Sequence, residues 1–338
     1  MLKVAIIGFG SISRAHRKAY LKLEQIGKAR LTCACDIDPD AFEKNRKSNP
    51  TEEEKAFEER VRHYTDLDEM LAKEEIDFVD ICVPSYLHSK LSIKLLERGY
   101  HVLCEKPMSL CYKDCQSMLD AAKKAEKQLM IGQCLRFYPA FDSIKAIMAE
   151  NRYGKVLGAF FSRMGSFPTH GWNNWFADPL SSGGALSDLH IHDVDIIRYL
   201  FGEPEAVSGR GSTSLCAYDT VHTSLFYRDY PVTAVADWTR TGISFCANCS
   251  INFEKATVTF DGTTLTVYPK DGGSAEVLTL ADYSGYYGEI DYFCDVVSGR
   301  CENTKNPAAS AALSVKLIDC IRESIDAKGR IVSFSAHD

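Results

Sequence analysis

Leu2-Lys3-Val4-Ala5-Ile6-Ile7-Gly8-Phe9-Gly10-Ser11-Ile12-Ser13 is the stretch on which the reading of this chain turns. An apolar run stops at a glycine, a second glycine follows two residues later, and an amphipathic stretch, Ile12–Leu23, comes next. A strand that bends sharply into a helix has this pattern. Gly8 permits the tight turn, and Gly10 keeps the backbone clear of side-chain atoms so that a pyrophosphate can approach. The amides of Ser11 and Ile12, at the positive end of the helix, would hold the phosphates. Ser13 stands where the dinucleotide fingerprint has a third glycine or alanine, and it is small enough for helix and strand to pack.

The second candidate strand, Leu31–Cys35, ends at Asp36, close to the ~20-residue spacing at which a carboxylate meets the adenosine ribose hydroxyls. Asp38 follows, and no Lys or Arg lies between Leu31 and Glu43 to receive a 2′-phosphate. NAD is therefore expected rather than NADP. Further apolar runs at Phe78–Val83, His101–Cys104 and Leu129–Gly132 alternate with helix candidates at Asp66–Lys73, His88–Arg98 and Tyr112–Lys127. Such alternation builds a parallel sheet. The charged segment Glu43–His63 reads as a solvated helix and loop.

From Val156 the texture changes to period-2 runs: Thr220–Tyr227, Val232–Trp238, Ser244–Phe253, Ala256–Phe260 and Thr264–Tyr268. A helical island at Leu186–Phe201 interrupts them, and Asn306–Ala327 reads as a closing helix. The expected architecture is an α/β domain with a doubly wound parallel Rossmann sheet at 1–133, followed by an α+β domain with a mostly antiparallel open sheet at 134–338. A length of 338 residues suits two domains of roughly 100–200 residues each.

The net charge of −7 argues against nucleic acid or an anionic membrane as the main partner, since both need a clustered basic field. Met1–Ile7 reaches Gly8 after only four consecutive apolar residues, too few for a secretory h-region, and no apolar stretch of about 20 residues occurs. Thirteen cysteines, odd in number and scattered, read as thiols in a reducing cytoplasm. Cys246-Ala247-Asn248-Cys249 lacks two further ligands at zinc-site spacing, so no metal is expected.

Three further motifs follow in order: Val83-Pro84-Ser85-Tyr86-Leu87-His88, Val102-Leu103-Cys104-Glu105-Lys106-Pro107, and Gly183-Gly184-Ala185-Leu186-Ser187-Asp188-Leu189-His190-Ile191-His192-Asp193-Val194-Asp195. With the glycine-rich turn they resemble the Gfo/Idh/MocA oxidoreductases, a family that includes inositol and other sugar dehydrogenases, and the resemblance covers essentially the whole chain. It implies that Lys106 reaches the nicotinamide and the reacting hydroxyl, that Glu105 contacts the nicotinamide ribose, and that Pro84 and His88 lie beside the cofactor. It also places Arg136 in a crossover segment where it could touch substrate. A homodimer or homotetramer is expected by the same analogy, because the exposed face of an antiparallel sheet commonly needs a partner. A strand end before Lys106 suits the placement, because ligands bind at the carboxyl edge of such sheets, and Pro107 restricts the lysine backbone.

Asp188, His192 and Asp195 are spaced i, i+4 and i+7, so on a continuous helix they share an arc of about 60°. His190 points elsewhere and is read as structural. The resemblance implies hydride transfer between a carbinol carbon and the nicotinamide. The hydroxyl proton must leave as well, and an imidazole that titrates near neutrality suits its removal. His192 is thus the expected general base, Asp188 the group that holds His192 or a neighbouring substrate hydroxyl, and Lys106 the group that polarises the oxygen or shuttles the proton. Trp172 and Trp175, in His170-Gly171-Trp172-Asn173-Asn174-Trp175-Phe176, combine aromatic faces with amide groups in a way suited to a sugar or polyol ring.

The expected activity is NAD-dependent oxidation of a secondary alcohol on a sugar, sugar derivative or cyclitol. The alternative is a redox-neutral lyase or glycoside-cleaving enzyme that retains NAD and works through a transient keto-sugar. A non-catalytic NAD-sensing protein is disfavoured by the joint presence of Lys106, Asp188 and His192.

Overall fold

The computed structural model describes residues 1–46 and 50–336. It divides into one unit of Met1–Ser109, Lys113–Cys134 and Ser284–Ala312, and a second of Leu110–Tyr112, Leu135–Tyr283 and Leu313–Asp338.

The first unit holds a six-stranded sheet of β1 (Leu2–Ile7), β2 (Ala29–Cys35), β3 (Arg62–Tyr64), β4 (Phe78–Ile81), β5 (His101–Glu105) and β6 (Leu129–Gly132). Their order is β3-β2-β1-β4-β5-β6 and every pairing is parallel, so the sheet reverses direction of build between β1 and β4. The helices are α1 (Ser13–Gln25), α2 (Ala41–Lys44), α3 (Glu52–Arg60), α4 (Leu67–Lys73), α5 (His88–Glu97) and α6 (Tyr112–Ala125). Strands β1, β4 and β5 are buried along most of their length, as expected of a parallel sheet covered by helices on both sides, with Asp80 and Glu105 as buried charges among their apolar residues. β3 escaped the sequence reading, since three residues, Arg-His-Tyr, on an edge carry no apolar alternation. Residues 47–49 of the charged segment Glu43–His63 lie outside the described residues.

The second unit contains α7 (Pro139–Ala149), α8 (Pro179–Ser182), α9 (Gly184–Asp188) and α10 (His190–Phe201). Its sheet comprises β7 (Val156–Met164), β8 (Ala206–Ser212), β9 (Thr220–Phe226), β10 (Pro231–Asp237), β11 (Cys246–Phe253), β12 (Ala256–Phe260), β13 (Leu265–Pro269), β14 (Glu276–Leu278) and β15 (Val332–Ser333). These nine strands run in the order β14-β13-β12-β11-β7-β10-β9-β8-β15. Only the β7–β10 pair is parallel; the other pairings are antiparallel.

Two further helices are α11 (Gly285–Val297) and α12 (Ala308–Asp326). The main departure from the expected division at 133/134 is that Ser284–Ala312 belongs with the first unit, while Leu110–Tyr112 belongs with the second. α11 has an apolar stripe, and Ile290, Phe293, Cys294 and Val296 enter the same core as Val4, Ile6, Tyr20, Leu23 and Phe78. The Phe293 ring meets Phe78 edge-on at 5.2 Å, and Lys28 binds Asp291 and Asp295 at 2.5 and 2.9 Å. A helix at 285–297 was not singled out from the sequence, and nothing local to that stretch says which unit it covers.

Among the described residues no helix is long and apolar enough to cross a membrane, and the cysteines form no disulfide.

Candidate active site

The glycine-rich turn has the geometry its sequence implies. Gly8 adopts φ +90°, and a Cβ there would lie 2.4 Å from the Cys82 carbonyl oxygen, so no other residue fits. At Gly10 a Cβ would meet nothing within 4 Å, which leaves open space beside the backbone. Ser13 is buried, and its hydroxyl donates to the Gly10 carbonyl at 2.7 Å, so the serine closes the turn that glycine or alanine would merely pack. Among the described residues no side chain caps α1, and its first turn holds no acidic residue. The amides that follow Gly10, Ser11 and Ile12 are therefore free of any competing anion, as a phosphate site requires. Asp36 sits at the carboxyl end of β2, where its Oδ2 accepts from the Phe9 amide at 2.7 Å and its Oδ1 from the Asp38 amide at 2.9 Å. That places a carboxylate directly beside the glycine turn.

Lys106 follows β5 at the same carboxyl edge. In the run Val102–Ser109 it is the one residue that reaches solvent; every neighbour is buried. Its backbone amide donates to Glu105 Oε2 at 3.0 Å. Pro107 follows through a cis peptide bond. His88 is buried, with Nδ1 2.7 Å from the Pro107 carbonyl and Nε2 2.9 Å from the Val83 carbonyl. Both ring nitrogens are thus taken by backbone, and His88 ties the Lys106 turn to the Val83–His88 segment. Burial pulls its pKa down, against the two carbonyls. Pro84, at the head of that segment, is half-buried.

Behind Glu105 lie residues that the sequence reading missed. His16 Nε2 is 2.9 Å from Glu105 Oε1, and His16 Nδ1 is 2.7 Å from Asp80 Oδ2. Burial opposes a charged imidazole, yet Asp80 and Cys82 together outweigh it and hold the His16 pKa well above its usual value. Burial likewise opposes the Glu105 charge, and the His16 bond and charge keep that carboxyl below its usual range. Asp80 did carry a signal, as a charge inside the apolar run Phe78–Val83. His16 carried none beyond its place on α1.

In the second unit, Gly183 and Gly184 both adopt φ +68°, and a Cβ on Gly184 would fall 1.6 Å from the Ala217 carbonyl oxygen. This close approach fixes where the following helix begins. The expected helical island Leu186–Phe201 is split at Leu189 into α9 and α10. In the run Leu186–Arg198 only Asp188 and His192 are partly exposed; all other residues are buried. Asp195 does not share that exposure: it accepts from Arg136 Nε and an Arg136 terminal nitrogen at 2.8 and 2.7 Å, and from Ser314 at 2.7 Å. The expectation that Arg136 touches substrate gives way to this pairing, because Arg136 is 2% exposed. Asp193 pairs with Arg163 at 3.2 Å. His190 is buried and its Nε2 meets Thr223 Oγ1 at 3.0 Å; burial, helped by Arg163, pushes its pKa down to about 3.

Trp172 is exposed at 46%. Trp175 stacks on Phe176 with centroids 4.0 Å apart, and Phe176 meets Trp238 edge-on at 6.0 Å. Asn173 and Asn174, between the tryptophans, both hold φ near +50°, at 49° and 52°, a conformation that asparagine tolerates better than most residues.

Family models match both halves of the chain. Residues 2–133 match the model of an oxidoreductase family with an NAD-binding Rossmann fold, and residues 141–278 match the GFO/IDH/MocA C-terminal domain. The chain is similar to D-apiose dehydrogenase of Paraburkholderia graminis, with 27% identity over 83% of this chain and 68% of that one. It is also 28% identical to 2,7-anhydro-N-acetylneuraminate hydratase of Escherichia coli over 62% of this chain, though the match spans only 52% of that enzyme. The chain spans about half the length of the first curated relatives it matches, with shares of 40%, 52% and 39%. A levoglucosan dehydrogenase in complex with NADH superposes with a TM-score of 0.83 at 21% identity, covering 99% of both chains, which establishes the shared fold. With both halves matched in order, the chain belongs to the GFO/IDH/MocA oxidoreductase family, and its first unit is an NAD-binding Rossmann domain.

Proposed function

We propose that the protein transfers hydride between NAD and a secondary alcohol of a sugar, sugar derivative or cyclitol. The observation that carries this reading is the selective exposure of Lys106, Asp188 and His192 from segments otherwise buried. Such exposure singles out the chemical groups that a solvated reactant can meet. Bound NAD supplies the hydride acceptor; Gly8, Gly10, Ser11 and Ile12 seat its pyrophosphate, and Asp36 its adenosine ribose. His192 takes the hydroxyl proton in oxidation and returns it in reduction, with Asp188 favouring its imidazolium. Lys106 polarises the oxygen, and Glu105 with the Pro84–His88 segment orients the nicotinamide end. Trp172 and Trp175 offer apolar faces to the ring of the substrate. Relatives named for D-apiose and levoglucosan support a small carbohydrate.

A second reading has one observation in its favour, the relatives named as hydratases. Adding water involves no net oxidation, so such an enzyme would retain its NAD and return the hydride to the same substrate. One experiment separates the two: purified protein is incubated with NAD and, in turn, inositols, free sugars, sugar acids, nucleotide sugars, glycosides and anhydro-sugars. Stoichiometric NADH release supports the dehydrogenase; product formation without NADH release supports the second reading.

A homodimer or homotetramer is part of the proposal. Leu157, Phe160, Tyr268 and Val277 stand exposed on strands of the nine-stranded sheet, apolar surface that a second copy would cover. Equilibrium sedimentation of a monomer would remove this part.

A further inference from the structure

Beneath the Glu105–Lys106 turn, the first unit buries ionisable side chains brought from segments far apart in sequence. α1 supplies His16 and Tyr20, β4 and the residue after it supply Asp80 and Cys82, β5 supplies Glu105, and α11 supplies Glu289. All of them are buried, Glu289 completely. The Asp80 carboxylate also accepts from the Tyr20 hydroxyl at 2.8 Å, and the Tyr286 ring of α11 lies 5.8 Å from the His16 ring. A ring nitrogen of His16 and one carboxyl oxygen each from Glu105 and Glu289 lie within 4.8 Å of one another. Glu289 differs from its neighbours, because neither of its carboxyl oxygens has a hydrogen-bond partner among the described residues.

The balance of charge explains how an acid can sit there. An imidazole flanked by a carboxylate at each nitrogen donates to both only as the imidazolium. His16 is then a cation between two anions, and Lys106 beside Glu105 brings a second positive charge. Burial keeps Tyr20 and Cys82 neutral, the Cys82 thiol being pushed up to about 12. A further ionised carboxylate without a donor would face desolvation and the Glu105 and Asp80 charges, and the His16 cation opposes these without outweighing them. As the neutral acid Glu289 has an O–H to give, and the Glu105 carboxylate is a neighbouring acceptor.

We infer that Glu289 is a positioning residue, held as the neutral acid, whose carboxyl proton is directed to the Glu105 carboxylate. Glu105 is then held by His16, by the Lys106 amide and by Glu289, and the turn that presents Lys106 is anchored by a residue from the far end of the chain. Burial, together with the Glu105 charge, raises the Glu289 carboxyl well above its usual value, in agreement with this state. The inference rests on the reading of Glu105 and Lys106 as the nicotinamide-side residues.

The test uses Glu289→Gln, which keeps a donor and cannot ionise. In the unfolded chain Glu289 ionises near 4.5, while the folded chain keeps its proton. The unfolded state thus releases a proton that the native state retains, and wild-type stability falls as pH rises above that value. The Tm of Glu289→Gln minus that of the wild type is therefore expected to grow between roughly pH 4 and pH 8; a difference that stays flat overturns the neutral acid. Glu289→Leu, which lacks the donor, is expected to bind NADH roughly tenfold more weakly by fluorescence titration, with Glu289→Gln within about twofold of wild type. Wild-type affinity in a folded Glu289→Leu overturns the positioning role, and if that variant does not fold, the Glu289→Gln pH series decides. Stoichiometric metal in the purified protein that Glu289→Gln lacks overturns both, since a cation would then hold the carboxylates. Full turnover in Lys106→Met alongside the expected Glu289 results would remove the reading of Lys106 and leave the placement of Glu289 intact.

Discussion

The Lys106 turn and the Asp188–His192 helix solve the same problem with different materials. Each presents one or two polar side chains from a segment whose other residues are buried. Around Lys106 the buried support is titratable: His16, Asp80, Glu105 and Glu289, with protons between them. Around His192 the support is guanidinium on carboxylate, Arg136 with Asp195 and Arg163 with Asp193, while His190 is kept neutral by burial. Arginine does not lose its charge at any ordinary pH. The lesson is that the first scaffold can respond to pH and the second can respond only to the loss of a partner.

The largest effects should come from the presented groups themselves. Lys106→Met and His192→Asn are each expected to lower kcat by roughly 10²–10⁴-fold with NADH affinity within a few-fold of wild type. In His192→Asn the limb of the pH–rate profile that reports deprotonation of the general base should vanish. Near-wild-type turnover in His192→Asn would mean that the proton goes elsewhere, Lys106 being the next candidate.

The second scaffold can be broken without touching either presented group. Arg136→Met leaves the Asp195 carboxylate buried with only Ser314 of its named donors, and unfolding measurements should show a loss of about 3–5 kcal/mol. A loss below about 1 kcal/mol would show that solvent reaches this pair and that the second scaffold does not depend on it. The smallest effect is expected at the aromatic loop: Trp175→Ala should raise the substrate KM several-fold without weakening NAD binding, and an unchanged KM would reduce the Trp175–Phe176 stack to loop packing.

Much of this was legible in the sequence, and the reason is local. Gly8, Gly10 and Asp36 lie on contiguous strand–turn–helix units, where the backbone demands of a tight turn select the residue type. Ala256–Phe260 and Leu129–Gly132 are strands at the bounds that their apolar pattern predicts, because alternation or continuous apolarity reports burial directly. The split at Leu189 was not legible, since a helical period does not reveal a local departure in backbone angles. Arg136 shows a different limit: an arginine near a candidate site reads as a ligand-binding group until its carboxylate, 59 residues away, is known.

By itself, then, the sequence determined the family, the cofactor and the order of the two folds, through motifs whose function depends on neighbours in the chain. Only the tertiary structure decided which polar residues are exposed to a reactant and which are consumed by one another. It also brought Glu289 beneath a turn formed by Glu105 and Lys106. The physical reason is that desolvation and charge pairing depend on distance in space, and a carboxyl that is an ordinary surface acid in one environment becomes a buried proton donor in another.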